Sequence, residues 1–190
     1  MCLHQLGNVH YKEGNYLEAG NQYQQSLDLH KELGNLDGIS QLLHQMGNIH
    51  YQQGNYPDAV GFYQESLDIK NKLGDKDGIA KSLLQLGNVN YMTGNYPTAL
   101  DLYQQSLVIA HDLGDKSSIA IIRYHQGLIK EEGQDLRGAL ENYYIALSIF
   151  EELGNPDRET IKDALARLKY KMGGEAFEKA LESFRGLNGS

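Results

Sequence analysis

The side chains with chemistry to offer in this 190-residue chain are seven histidines, one cysteine, recurring serines and a recurring set of asparagines, glutamines and tyrosines. The histidines do not compose a metal site. His4 and His44 stand 40 residues apart, and so do His10 and His50. That spacing is a repeat period, whereas metal ligands gather at short spacings. His10 and His50 are expected partly buried between helices, with their ring nitrogens hydrogen-bonded. Ser26, Ser66 and Ser106 also recur every 40 residues with no adjacent base, and read as small packing residues near the next unit. No phosphate-binding loop, dinucleotide fingerprint or nucleophile elbow is present. The chain is therefore expected to be no enzyme and to carry no cofactor and no metal. The amides are different. Each offers a donor and an acceptor, which matches the N–H and C=O of an extended peptide.

The elements that must position these groups are set by the same period. Gly7-Asn8 recurs as Gly47-Asn48 and Gly87-Asn88, and Tyr23 recurs as Tyr63, Tyr103 and Tyr143. Ala19 recurs as Ala59, Ala99 and Ala139, and Leu33-Gly34 as Leu73-Gly74, Leu113-Gly114 and Leu153-Gly154. A repeat array buries a continuous slab between neighbouring units and suggests a binding surface rather than a catalytic pocket.

Residues 35–74 serve as the type unit. Ile39, Leu42, Leu43, Met46, Ile49 and His50 lie at helical spacing, which predicts an amphipathic helix A over 37–53. Gly54 ends it in the left-handed conformation that glycine adopts at little cost. Pro57 suits the first turn of helix B, where its missing N–H goes unneeded. Helix B carries Ala59, Val60, Phe62, Tyr63, Leu67, Ile69 and Leu73 as apolar positions. Gly74 ends it, and Asp75 is a fitting N-cap for the next helix A. Gly47 and Ala59 are expected where helices A and B cross too closely for larger side chains.

Charge narrows the partners. Net charge is −8, with 17 Lys plus Arg against 25 Asp plus Glu. That argues against a sequence-independent grip on nucleic acid or on an anionic membrane. Residues 156–190 hold 7 basic and 6 acidic residues, so the excess acid lies before them. The lone Cys2 allows no internal disulfide, and no apolar run or signal peptide stands out. A soluble, cytoplasmic protein is expected.

The segments Leu86-Gly87-Asn88, Tyr91, Gly94-Asn95-Tyr96, Ala99, Tyr103 and Leu107, with their equivalents, resemble the tetratricopeptide repeat family. The usual unit there has 34 residues, so this is a long variant. Its junction, Leu73-Gly74-Asp75-Lys76-Asp77-Gly78-Ile79-Ala80, looks like that of 40-residue variants common in large bacterial regulatory proteins. The resemblance implies an all-α, right-handed superhelical solenoid of antiparallel helix pairs, with A helices lining a concave groove. The expected organisation is four units, about 1–34, 35–74, 75–114 and 115–154. A C-terminal helix pair, 156–185, acts as a cap, and 186–190 form a frayed tail.

The resemblance places a polar stripe of helix A in that groove. It comprises Gln5, Asn8 and Tyr11, then Gln41, His44, Gln45, Asn48, Tyr51 and Gln52, then Lys81, Gln85, Asn88 and Tyr91. Some family members clamp a C-terminal carboxylate with Lys, Arg and Asn. Here Asn8 and Lys81 match two such positions, but His4, Gln45 and Gln85 occupy others, so the groove is rich in amides rather than cations. The implied function is a scaffold that holds a protein or peptide partner in the groove. The alternative is a sensor or regulatory module of a larger bacterial signalling protein, linked to an ATPase or protease domain.

The pattern breaks at both ends. Met1 starts inside helix A, which reads as a piece of a longer array whose open face can self-associate. In the fourth unit Leu128 stands where Asn8, Asn48 and Asn88 do, and Glu131 where the groove tyrosines do. Its turn glycine, Gly133, comes one place early. Phe177, Ala180, Leu181 and Phe184 line one face of the last helix.

Overall fold

A computed structural model describes residues 2–188, with side chains to residue 184. Among the described residues there are ten helices and no strand: α1 (Leu3–Lys12), α2 (Tyr16–Glu32), α3 (Leu36–Gln52), α4 (Tyr56–Leu73), α5 (Lys76–Met92), α6 (Tyr96–Leu113), α7 (Lys116–Glu132), α8 (Leu136–Glu152), α9 (Arg158–Met172) and α10 (Gly174–Asn188). The fold class is all-α, as the period predicts. None of these helices is long and apolar enough to cross a membrane.

The chain divides into two compact units, residues 1–106 and 107–190, and the division falls inside α6. In the first unit α1 packs on α2 and α3 on α4, and the tight turns between them make each pair antiparallel. Gly14, Gly54 and Gly94 take φ of 78°, 75° and 77° in those turns, the left-handed conformation that closes a helix. The two kinds of helix start differ. Asn35 and Asp75 accept from the N–H of Gly38 and Gly78 at 3.0 Å, capping α3 and α5. Asn15 and Asn55, before α2 and α4, make no such side-chain bond.

The centre of each pair is one tyrosine. Tyr23, Tyr63 and Tyr103 are 0% exposed, and their rings lie against Gly7, Gly47 and Gly87. A Cβ on Gly47 would sit 2.6 Å from a Tyr63 ring carbon. The small residue is therefore required by the ring of helix B rather than by Ala59. Glycine inside a helix costs about 1 kcal/mol against alanine. Burying a large side chain returns about 2–3 kcal/mol. Ser66 and Ser106, also buried, donate to the carbonyls of Ser40 and Ala80 at 2.7 and 2.8 Å. These serines pin helix B to helix A of their own repeat and do not merely fill space beside the next.

In the second unit α7, α8, α9 and α10 share one core, with Tyr143, Phe150, Ile161, Leu168 and Phe177 all buried. The C-terminal pair thus packs on the fourth repeat within one compact body. Ala180 and Leu181 pack on that core, and the Phe184 ring meets Tyr144 edge-on at 5.5 Å. Helix α10 runs to Asn188, through the first three positions of the expected tail. The rest of the expected tail, 189–190, lies outside the described residues.

The early glycine does not move the fourth turn. Gly133 has φ −77°, and Gln134 takes the left-handed position at φ 60°. The turn keeps the register of Gly14, Gly54 and Gly94 because helix length is fixed by packing on both sides of it.

Candidate peptide-binding face

On the A helices of the first unit, most of the amide chemistry is shared with the core. The Tyr23, Tyr63 and Tyr103 hydroxyls donate to Asn8, Asn48 and Asn88 Oδ1 at 2.7, 2.7 and 2.8 Å. A buried phenol needs such a partner, since an orphaned one costs about 1–3 kcal/mol. Asn48 and Asn88 then donate through Nδ2 to Gln45 and Gln85 Oε1 at 2.9 and 3.1 Å. The asparagines therefore link the core to the surface. Those bonds use Oε1 of Gln45 and Gln85 and leave their Nε2 groups outside them.

The aromatic part of the stripe also leans on its own repeat. Tyr11, Tyr51 and Tyr91 are half-buried against Tyr16, Tyr56 and Tyr96, with centroids 5.6–5.8 Å apart. Tyr11 further hydrogen-bonds Gln52 of the following repeat. Gln5 and Gln52 are exposed.

Four of the expected residues come together. Gln41, His44, Gln45 and Lys81 line a cleft of about 290 Å³, joined by His4 and Lys70. Burial pushes the His44 imidazole down to about 4, helped by the Lys70 and Lys81 charges, so the ring is neutral near pH 7. Burial, then His30, lowers His4 as well. His44 Nδ1 is buried without a hydrogen-bond partner. Lys81 pairs with Asp77 at 2.6 Å, and Gln41 donates to Asp37 at 2.9 Å. Lys70 is buried, reaches the capping carboxylate of Asp75 at 3.1 Å and covers Gly78. The sequence pattern does not mark Lys70. Its signal was a lysine at the end of helix B where His30, Ala110 and Phe150 stand in other repeats.

His10 and His50 are half-buried, as expected, but not hydrogen-bonded through Nδ1. His50 Nδ1 lies 3.5 Å from Asp58, and the ring stacks on Phe62 at 5.0 Å. Ring packing holds His50, whereas His10 Nδ1 lies 3.7 Å from the Glu13 carboxylate. Among the described residues no three His, Cys, Asp or Glu side chains gather as metal ligands.

In the second unit the buried Glu131 replaces the asparagine. It accepts from Tyr143 at 2.7 Å, from Arg167 Nε and Nη2 at 3.0 and 2.9 Å, and pairs with Lys171 at 2.8 Å. These contacts, Arg167 first, hold its carboxyl down to about 2 against the cost of burial. The coincident loss of asparagine at Leu128 and of tyrosine at Glu131 was the available sign. The Arg167 and Lys171 partners were not legible without the fold.

No curated protein matches the chain. Several solved structures do, at identities that show the fold alone. BtubC (BKLC) from P. vanneervenii is 20% identical, with a TM-score of 0.77 over 97% of this chain and 77% of that one. A Rap protein complexed with competence and sporulation factor is 18% identical, with a TM-score of 0.79 over 95% of this chain and 52% of that one. The Rap conjugation gene regulator of plasmid pLS20, in complex with a Phr peptide, is 21% identical, with a TM-score of 0.76 over 96% and 52%. The chain spans about half the length of those two Rap proteins. The family described as tetratricopeptide repeat matches residues 1–72 and again 38–112, more than half of the sequence, and this protein belongs to that family.

Proposed function

We propose that the chain is a non-enzymatic protein-interaction module that holds an extended peptide or partner segment on its A-helix face. The observation that carries this reading is the cleft of the first unit. Gln45 lines it with an amide, beside the neutral His44 and an exposed lysine, Lys81, whose charge Asp77 offsets. Such groups satisfy backbone N–H and C=O without demanding a charged ligand. Two neighbours in fold are described in complex with competence and sporulation factor and with a Phr peptide, which supports the same use here.

The groove asparagines are poor probes of this idea, because Asn48→Ala orphans the Tyr63 hydroxyl. Gln41→Ala with Lys81→Ala removes cleft groups that are exposed. A random peptide display library panned against the protein should yield binders. Their affinity, read by fluorescence anisotropy, should drop in that double variant. Binders that ignore the double variant place the site away from this cleft, and a protein that selects no peptide refutes the reading.

A second reading is a regulatory module of a larger signalling protein. It draws on the regulator among the fold neighbours, which the chain covers only by about half. A full-length gene encoding repeats alone would count against it.

A further inference from the structure

The second unit holds a cleft of about 300 Å³ with Ile121 on α7, Phe150 on α8 and Ile161 on α9 as walls, and Tyr124 and Asp157 at its edge. Each of these residues stands 80 positions after one that lines the first unit's cleft. Ile121 answers to Gln41, Tyr124 to His44, Phe150 to Lys70, Asp157 to Asp77 and Ile161 to Lys81. The repeat thus makes the same cleft twice with changed chemistry. Gln41, Lys70 and Lys81 of the first become the apolar walls Ile121, Phe150 and Ile161 of the second, while Gln45 gives way to His125 and Thr160 adds a hydroxyl.

One group was not exchanged. Asp37 and Asp77 each satisfy their carboxylate with the side chain four residues on, Gln41 at 2.9 Å and Lys81 at 2.6 Å. Four residues after Asp157 comes Ile161, which is 1% exposed and has nothing to donate. Among the described residues the exposed Asp157 carboxylate takes no hydrogen bond and no ion pair. The nearby cations are already committed, with Arg158 and Lys162 both on Glu159 at 3.2 and 3.0 Å. An unpaired negative charge beside a low-dielectric wall attracts a cation more strongly than one in open water.

We propose that this cleft reads its ligand as a peptide in which a large apolar side chain sits among Ile121, Phe150 and Ile161 while a neighbouring Lys or Arg pairs with Asp157. The proposal rests on the peptide-binding reading above and adds a sequence preference to it. The cleft volume lies at the lower end of ligand pockets and suits one side chain rather than a whole small molecule. The same carboxylate repels a peptide carrying Asp or Glu at that place.

The test pans one peptide display library against the full chain and, in parallel, against Asp157→Lys and Ile121→Gln. The latter installs the residue of the polar cleft at its apolar counterpart. The wild type should enrich peptides with Lys or Arg within two residues of Leu, Ile, Phe or Met. The best of them should bind about tenfold or more weakly to Ile121→Gln, as loss of one buried apolar contact implies. Asp157→Lys, at an exposed position whose carboxylate makes no hydrogen bond, should instead enrich acidic residues beside the apolar one. Enriched peptides without the pair, or affinities unmoved by both variants, overturn the proposal while leaving peptide binding standing. Loss only in Gln41→Ala/Lys81→Ala would also overturn it and assign the binding to the first unit. A wild type that enriches nothing overturns both.

Discussion

The Tyr143 hydroxyl donates to the Glu131 carboxylate at 2.7 Å, where the equivalent tyrosine of each earlier repeat donates to an asparagine. Leu128 removed the asparagine, and an acid one turn further along took over its role. An anion only 4% exposed needs countercharge, which Arg167 and Lys171 of α9 supply. The fourth repeat thereby gains a polar tie to the C-terminal helix pair that the first unit's asparagines do not make.

Glu131 should make stability depend on acid. Its folded pKa, held down to about 2, lies below the ordinary glutamate value of ~4.3. Its contribution is therefore complete above pH ~4.3 and is lost as pH falls toward 2. Glu131→Gln should destabilise the chain at pH 7 by roughly 2 kcal/mol and flatten its melting-temperature profile over that window. Differential scanning calorimetry from pH 7 to pH 2 checks both. A profile as steep in the variant as in the wild type would remove Glu131 as its source.

Gln134 is strained. A non-glycine residue in the left-handed region costs about 1 kcal/mol relative to glycine there. Exchanging the two residues, Gly133→Gln with Gln134→Gly, restores the Gln53-Gly54 order. It should stabilise the chain by about 1 kcal/mol in urea unfolding, at unchanged composition.

Gly47→Ala sets propensity against packing. An isolated helix would gain about 1 kcal/mol from the change. The added methyl would instead meet the Tyr63 ring at 2.6 Å, inside van der Waals contact. Net destabilisation of about 1–3 kcal/mol is expected. It should be partly relieved in Gly47→Ala/Tyr63→Leu relative to the sum of the single changes. A thermal melt that rises in Gly47→Ala would show the ring free to move aside.

Lys70 and Gly78 form a size-matched pair, since the lysine side chain, together with the Asp75 carboxylate, occupies the space a Gly78 side chain would need. The equivalent pair in the next repeat is Ala110 and Ser118, small and larger exchanged. Gly78→Ser alone should cost about 1–3 kcal/mol by overpacking. Lys70→Ala/Gly78→Ser should cost less than the two single changes together, in chemical denaturation. Strict additivity would mean the two side chains do not share this space.

Much of this protein was present in the order of its residues. A 40-residue period with helical apolar spacing specified the helix pairs. Gly54, Pro57, Gly74 and Asp75 marked where chains of backbone hydrogen bonds start and stop, because caps and left-handed turns are local chemistry read over four or five residues. The polar stripe of helix A was legible for the same reason, as a periodicity along one helix.

Only the tertiary structure decided how those polar groups are spent. The phenol of Tyr63 turns Asn48 from a free amide into a core acceptor across 15 residues, and Lys70 enters the cleft from helix B. Glu131 meets Arg167 across 36 residues, and Gln134 accepts a strained backbone because the helices on both sides are already packed. Each depends on distances between separate helices, which a one-dimensional pattern does not contain, and on the rule that a buried polar atom must take whatever partner the fold brings near it.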